Sequence, residues 1–225
     1  MNEKIVVKKL RVKFKDIINY TYIIINKNSK KCIIVDPSWQ LETIINLIEH
    51  ENLQVNSIFL THSHHDHVNL VDDLVNIYNC FVYISEIEKN YYNFQSKNLI
   101  LLKDNEIIKF DEIIIRVLIT PGHTKGSTCY CIDNKILFTG DTLFSEGCGN
   151  STQLGGDCSE MFNSIQRLKR TIDDECIIYP GHAFKEEVGQ KFSKIKKNNI
   201  YLQIISEDIF IKLNEMKSNK NVNYI

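Results

Sequence analysis

At 225 residues the chain is long enough for one sizeable core, and a single domain over 1–225 is expected because mixed sandwiches of this length are common. Lys and Arg total 27 against 28 Asp and Glu, so the formal charge of -1 gives no electrostatic reason to expect nucleic acid or an anionic membrane as partner. The apolar run Ile5-Val6-Val7 breaks at Lys8-Lys9 without a signal-peptide core, and no segment nears the ~20 apolar residues of a membrane span, so a soluble, cytoplasmic protein is expected. Runs rich in Ile, Val and Tyr predict strands over Ile5 to Phe14, Tyr20 to Ile25 and Lys31 to Val35, and Asp36-Pro37-Ser38 reads as a turn leading into a helix from Trp39 to His50. A short strand from Ser57 to Leu60 precedes a histidine cluster at 61–67. Leu70, Val71, Leu74, Val75 and Tyr78 then recur at helical spacing and predict a helix from Val68 to Asn79. Strands are predicted around Phe81 to Ile84, Glu106 to Phe110, Ile113 to Ile119, Ser127 to Asp133 and Lys135 to Thr139, with a helix from Ser159 to Lys169 and a last strand from Cys176 to Tyr179. Strand and helix groups thus occur twice in the same order, which predicts two sheets with helices outside.

Each cluster of chemically competent side chains follows a predicted strand. Thr61-His62-Ser63-His64-His65-Asp66-His67 concentrates metal-competent groups where a strand end can aim several of them at one point. Thr120-Pro121-Gly122-His123-Thr124 and Tyr179-Pro180-Gly181-His182 each use a Pro-Gly turn to present a histidine. Either turn alone is weak, since an ordinary turn with a partly exposed histidine looks the same, but two of them in a chain with 3 prolines strengthen the functional reading. In Gly140-Asp141-Thr142 an aspartate emerges directly from an apolar strand, a position otherwise often used to cap a helix. Together these residues supply His62, His64 and His123 as one set and Asp66, His67 and His182 as a second, with Asp141 able to bridge both. Seven ligands suit two metal ions better than one. Two cations about 3.5–4 Å apart can share a water, lower its pKa and polarise a carbonyl. Nitrogen and oxygen donors without thiolate suit zinc, with iron and manganese as the alternatives.

The T-H-x-H-x-D-H segment, the PGHT turn, the GDTLF segment and the final PGH, in this order, resemble the metallo-β-lactamase superfamily over nearly the whole chain. The resemblance implies an α/β fold, an αββα sandwich of two mixed sheets flanked by helices, with the metal site at one edge and all seven ligand positions filled. Asp141 stands where secreted antibiotic-degrading members would carry a cysteine, which argues against a periplasmic lactamase. Gly140-Asp141-Thr142-Leu143-Phe144, followed by Gly147-Cys148-Gly149 and Gly155-Gly156-Asp157, resembles the glyoxalase II-like, thioester-cleaving branch. Residues 183–225 are too few for the helical glutathione-binding domain of that branch. The stretches Gly147 to Met161 and Phe192 to Ile204 are more similar to stand-alone zinc-dependent hydrolases of bacterial polyketide biosynthesis clusters. The implied substrate is an acyl thioester on an acyl carrier protein, with a hydroxyacylglutathione hydrolase and a mono-iron persulfide dioxygenase as competing readings. In the expected reaction a hydroxide shared by two ions attacks the thioester carbonyl, and Asp66 both ligates and orients that nucleophile.

The remaining features have plainer expectations. The seven cysteines are expected to be reduced thiols, because a chain of this size needs no disulfide framework. Cys129 and Cys131 share a strand face and are expected to pack, while Cys148 and Cys158 flank the glycine-rich loop and either line the substrate mouth or support the loop. His65 has no role in the ligand set and is expected to face solvent. Lys185, Lys191, Lys194, Lys196 and Lys197 make a basic segment that would suit an acidic carrier protein, although such a run is more commonly a solvated helix face.

Overall fold

Residue parity along the strands assigns the apolar side chains to layers, since successive residues point to opposite faces. The computed structural model describes residues 4–218. The first sheet holds β1 (Ile5–Phe14), β2 (Ile17–Asn26), β3 (Lys31–Val35), β4 (Gln54–Phe59), β5 (Phe81–Ser85) and β6 (Leu99–Leu102), side by side in that order. The second holds β7 (Ile107–Phe110), β8 (Ile113–Ile119), β9 (Thr128–Ile132), β10 (Ile136–Gly140), β11 (Ile177–Pro180) and β12 (Gln190–Lys191), again in chain order across the sheet. Both sheets are mixed: β3 to β6 run parallel, as do β10 and β11, and the other neighbours are antiparallel.

Tyr22, Ile24, Ile33, Val35 and Phe59 of the first sheet meet Ile115, Val117, Tyr130, Ile132 and Phe138 of the second, forming the central layer. The alternate residues Ile23, Ile25, Ile34, Ile58, Val82 and Ile84 face outward onto α1 (Leu41–His50) and α3 (Val71–Tyr78) through Ile44, Ile48, Leu74 and Val75. On the far side Leu118, Cys129, Cys131, Leu137 and Ile178 pack beneath α5 (Cys158–Thr171) through Met161, Ile165 and Leu168. The same cluster takes in Phe192, Ile195, Leu202 and Phe210 from α6 (Phe192–Asn198), α7 (Ile200–Gln203) and α8 (Glu207–Ser218). This is the expected αββα sandwich. Cys129 and Cys131 are packing residues in its outer core, and all seven cysteines are free thiols. Cys148 is buried in the same core, and Cys158 donates to Asn214 Oδ1 at 3.7 Å, so both support the loop. Among the described residues no helix is long and apolar enough to cross a membrane.

The differences from the expected elements have local causes. The first helix begins at Leu41 rather than Trp39, because Trp39 adopts a left-handed conformation, φ 62, that cannot start a right-handed helix. The helix expected over Val68 to Asn79 is two pieces, α2 (His65–Val68) and α3, so Asp66 and His67 ride on a helical turn rather than a loop. Asn69, at the break, has its side chain committed to Trp39 N and His65 O at 2.9 and 2.7 Å. The pattern also leaves unannounced α4 (Glu86–Tyr91), β6, β12 and the helices α6 to α8.

Candidate metal centre

Strand ends of both sheets converge at one edge of the sandwich, and each exit delivers a polar residue: Asp36 after β3, Thr61 and His62 after β4, His123 after β8, Asp141 after β10 and His182 after β11. The sheets are joined there by backbone bonds, with Thr128 N donating to Thr61 O at 2.8 Å and Tyr20 N to Gly181 O at 2.9 Å. Glycine permits the closest approach. A Cβ on Gly181 would lie 2.5 Å from Asp141 Oδ1 and 2.6 Å from His67 Cε1.

All seven residues singled out in the sequence meet at this edge, in two groups. The donor atoms of His62, His64 and His123 lie within 4.8 Å of one another, and so do those of Asp66, His67 and His182. His64 Nδ1 is 3.0 Å from His123 Nε2 in the first group. Asp66 Oδ2 is 3.3 Å from His182 Nε2 and 3.7 Å from His67 Nε2 in the second. Asp141 lies between them, its Oδ2 3.6 Å from His123 Nε2 and 3.4 Å from His182 Nε2, and its Oδ1 3.4 Å from His67 Nε2. His65, by contrast, is exposed to solvent, as expected.

Four of the imidazoles have their tautomer fixed from behind. His123 Nδ1–H donates to Asn150 O and His182 Nδ1–H to Ile18 O, both at 2.7 Å. His67 Nδ1–H donates to Asp36 Oδ2 at 3.0 Å. Thr61 Oγ1 gives its proton to Asp36 Oδ2 at 2.6 Å and therefore accepts from His62 Nδ1–H at 3.0 Å. In His62 and His123 Nε2 is thereby left as an inward lone pair, the form a metal requires, while in His67 and His182 Nε2 takes that form once the ring gives up its second proton. His62 Nε2 and Asp141 Oδ1 are buried without a hydrogen-bond partner. Orphaned acceptors of this kind, inside a cluster of nitrogen and oxygen donors, fit a bound cation. Asp36 also comes within 4.8 Å of His62 and His67, but its oxygens are engaged by Thr61 N, Thr61 Oγ1 and His67 Nδ1, so it orients ligands from outside the site.

The two groups differ in charge. Burial, reinforced by neighbouring imidazoles, holds His62 well below the usual histidine range, lowers His64, and brings His123 down to about 4. Burial opposes charge in the second group too, but the carboxylates of Asp66, Asp141 and Asp36 outweigh it and raise His67 to about 9, while Asp141 and Asp66 raise His182 well above its ordinary value. Reciprocally, His67 and His182 overcome the burial of Asp66 and Asp141 and keep both as carboxylates.

Sequence reading overlooked three buried residues that hold this arrangement. Glu88 accepts from Ser63 N and Ser63 Oγ through Oε1, and from Thr124 Oγ1 and Gly126 N through Oε2, at 2.7–2.9 Å, clamping the His62–His67 segment to the PGHT turn. Asp36 is signalled only by its position directly after an apolar strand, the same cue that marks Asp141. Asn19 Nδ2 donates to Asp66 Oδ2 at 2.9 Å. The loop after Asp141 is held from the tail, where Asn199 Nδ2 donates to Phe144 O and Gly147 O at 3.0 and 2.9 Å. Three of the five tail lysines pair with neighbouring carboxylates: Lys191 with Glu175, Lys194 with Glu186 and Lys196 with Asp174.

The chain is 43% identical over 204 residues to the probable polyketide biosynthesis zinc-dependent hydrolase BaeB of Bacillus velezensis, covering 91% of this chain and 90% of that one. It is 40% identical over 222 residues to the probable polyketide biosynthesis zinc-dependent hydrolase PksB of Bacillus subtilis, covering 99% and 98%. Among solved structures, ETHE1 from Myxococcus xanthus superposes with a TM-score of 0.83 at 25% identity, covering 98% of this chain and 92% of that one. The family model of the metallo-beta-lactamase superfamily matches residues 15–182, the span that carries all seven convergent residues and the strands from β2 to β11, and the chain belongs to that superfamily.

Proposed function

We propose that the chain is a zinc-dependent hydrolase that holds two ions and cleaves acyl thioesters carried on an acyl carrier protein in polyketide biosynthesis. The observation that carries this reading is Asp141, whose two oxygens lie 3.4–3.6 Å from imidazoles of both groups. His62, His64 and His123 would hold one ion and Asp66, His67 and His182 the other, with Asp141 common to both. When bound, two zinc ions supply an activated water and polarise the carbonyl under attack. Asp66, kept anionic at the site by His67 and His182, orients the attacking water, and the hydrogen bonds behind the imidazoles hold Nε2 of each ring toward the site. A thiolate leaves without protonation at neutral pH, so the reaction needs no separate general acid. The hydrolase class and the polyketide setting are supported by the names of the two Bacillus relatives.

The test is elemental analysis of protein purified without added metal, beside thiol release from acyl-glutathione and acyl carrier protein thioesters. Two zinc ions per chain and faster release from the carrier protein are expected. Preference for acyl-glutathione would replace the substrate assignment with a hydroxyacylglutathione hydrolase. A single iron with oxygen uptake on glutathione persulfide would overturn the hydrolase reading.

A further inference from the structure

The loop between β3 and α1 contains two residues in the left-handed region, Asp36 (φ 49) and Trp39 (φ 62). A bulky side chain rarely tolerates that conformation, so the surroundings must hold it there. Trp39 N donates to Asn69 Oδ1 at 2.9 Å, and its ring stacks on Phe14 at 4.8 Å and meets His65 edge-on at 5.7 Å. The indole Nε1–H donates to Asn19 Oδ1 at 2.8 Å. Asn19 itself is 1% exposed, and the other end of its amide reaches Asp66 Oδ2 at 2.9 Å and approaches His182 Nε2 at 3.4 Å.

The two ends of an amide are chemically opposite, whereas an indole N–H only donates and a carboxylate only accepts. Trp39 and Asp66 therefore permit one orientation of Asn19. In the reversed amide the oxygen would face a carboxylate oxygen and the NH2 group would face the indole N–H, and both contacts would become repulsive. We propose that Asn19 is the positioning residue for Asp66, fixing the rotation of its carboxylate toward His67 and His182, and that Trp39 acts through Asn19 by setting which end of the amide faces the site. The assignment rests on the reading of Asp66 as a ligand.

The experiment compares Asn19→Leu, Trp39→Phe and the double variant with the parent protein. Zinc affinity is measured by competition with a chromophoric chelator, ligand geometry by the visible spectrum of the cobalt-substituted protein, and folding by thermal melting. Asn19→Leu is expected to weaken zinc about 10–100-fold and to shift the cobalt bands. Trp39→Phe, which loses one hydrogen bond, is expected to weaken zinc about 5-fold. The double variant should match Asn19→Leu, because Trp39 has nothing left to act through. Parent-like zinc titration and cobalt spectrum in Asn19→Leu, or losses that add in the double variant, would overturn the proposal. Should Asn19→Leu fail to fold, Trp39→Phe decides alone on the same two readouts. A parent protein that binds one ion refutes the two-metal reading separately, and Asn19 is then judged by whether Asn19→Leu weakens that ion.

Discussion

The two groups of convergent side chains share one edge, with Asp141 between them, yet they are built on opposite electrostatic plans. His62, His64 and His123 form an all-imidazole group that burial keeps neutral, and the Glu88 clamp and the Asn150 carbonyl hold it in place. Asp66, His67 and His182 form a carboxylate-rich group in which the imidazoles are proton-loaded, steadied by Asp36, Asn19 and the Ile18 carbonyl. The first group offers ready lone pairs. The second offers more negative charge but must release protons before it can ligate, so proximity of donors alone does not determine how a site loads.

Gly181→Ala should break the comparison most severely, because the new Cβ would displace both the bridge and His67. A loss of about 1000-fold in kcat/KM is expected, some 4 kcal/mol, with the circular dichroism spectrum retained; parent-like turnover would mean that the edge tolerates a shifted Asp141. Glu88→Ala strikes the support of the first group. It takes the acceptor from four donors, two of them fully buried, and should cost about 3–5 kcal/mol in denaturant unfolding. Asp36→Asn weakens the acceptor behind His67 Nδ1 in the second group and, through Thr61, the hold on His62 in the first, and about 10-fold weaker zinc binding with an intact fold is expected from chelator competition.

The pH dependence sharpens the contrast. His67 is raised to about 9 in the metal-free protein, above its ordinary value of about 6.5, so its charged form stabilises the fold. That contribution is fully present below about pH 6.5 and is lost as pH rises through about 9, and His182 acts in the same direction. Metal-free protein should therefore lose thermal stability between these limits while zinc-loaded protein does not. Calorimetry in buffers of different ionisation enthalpy should record proton release for the ion held by the second group, and none for the ion held by the first. His65→Ala, on the exposed neighbour of both groups, should change activity less than about twofold.

Strand parity and the order of the four motifs made the layers and the convergent residues legible in the sequence, because both depend on local spacing. The supports were not. Glu88 lies in Ser85-Glu86-Ile87-Glu88, where nothing local separates it from Glu86, and its function exists only once two loops close over it. The expected helix start at Trp39 failed for the same reason, since long-range contacts to Asn19 and Asn69 hold a conformation that local preference disfavours. Asp36 was within reach, having the same position after an apolar strand as Asp141.

Asn199 carries a consequence for how the protein is made. The carbonyls of Phe144 and Gly147 wait for an amide that leaves the ribosome more than fifty residues later. During synthesis the loop behind Asp141 therefore lacks this anchor until Asn199 emerges, so Asp141 gains its last support near the end of translation. A nascent chain stalled before Asn199 should therefore lack a fixed loop behind Asp141.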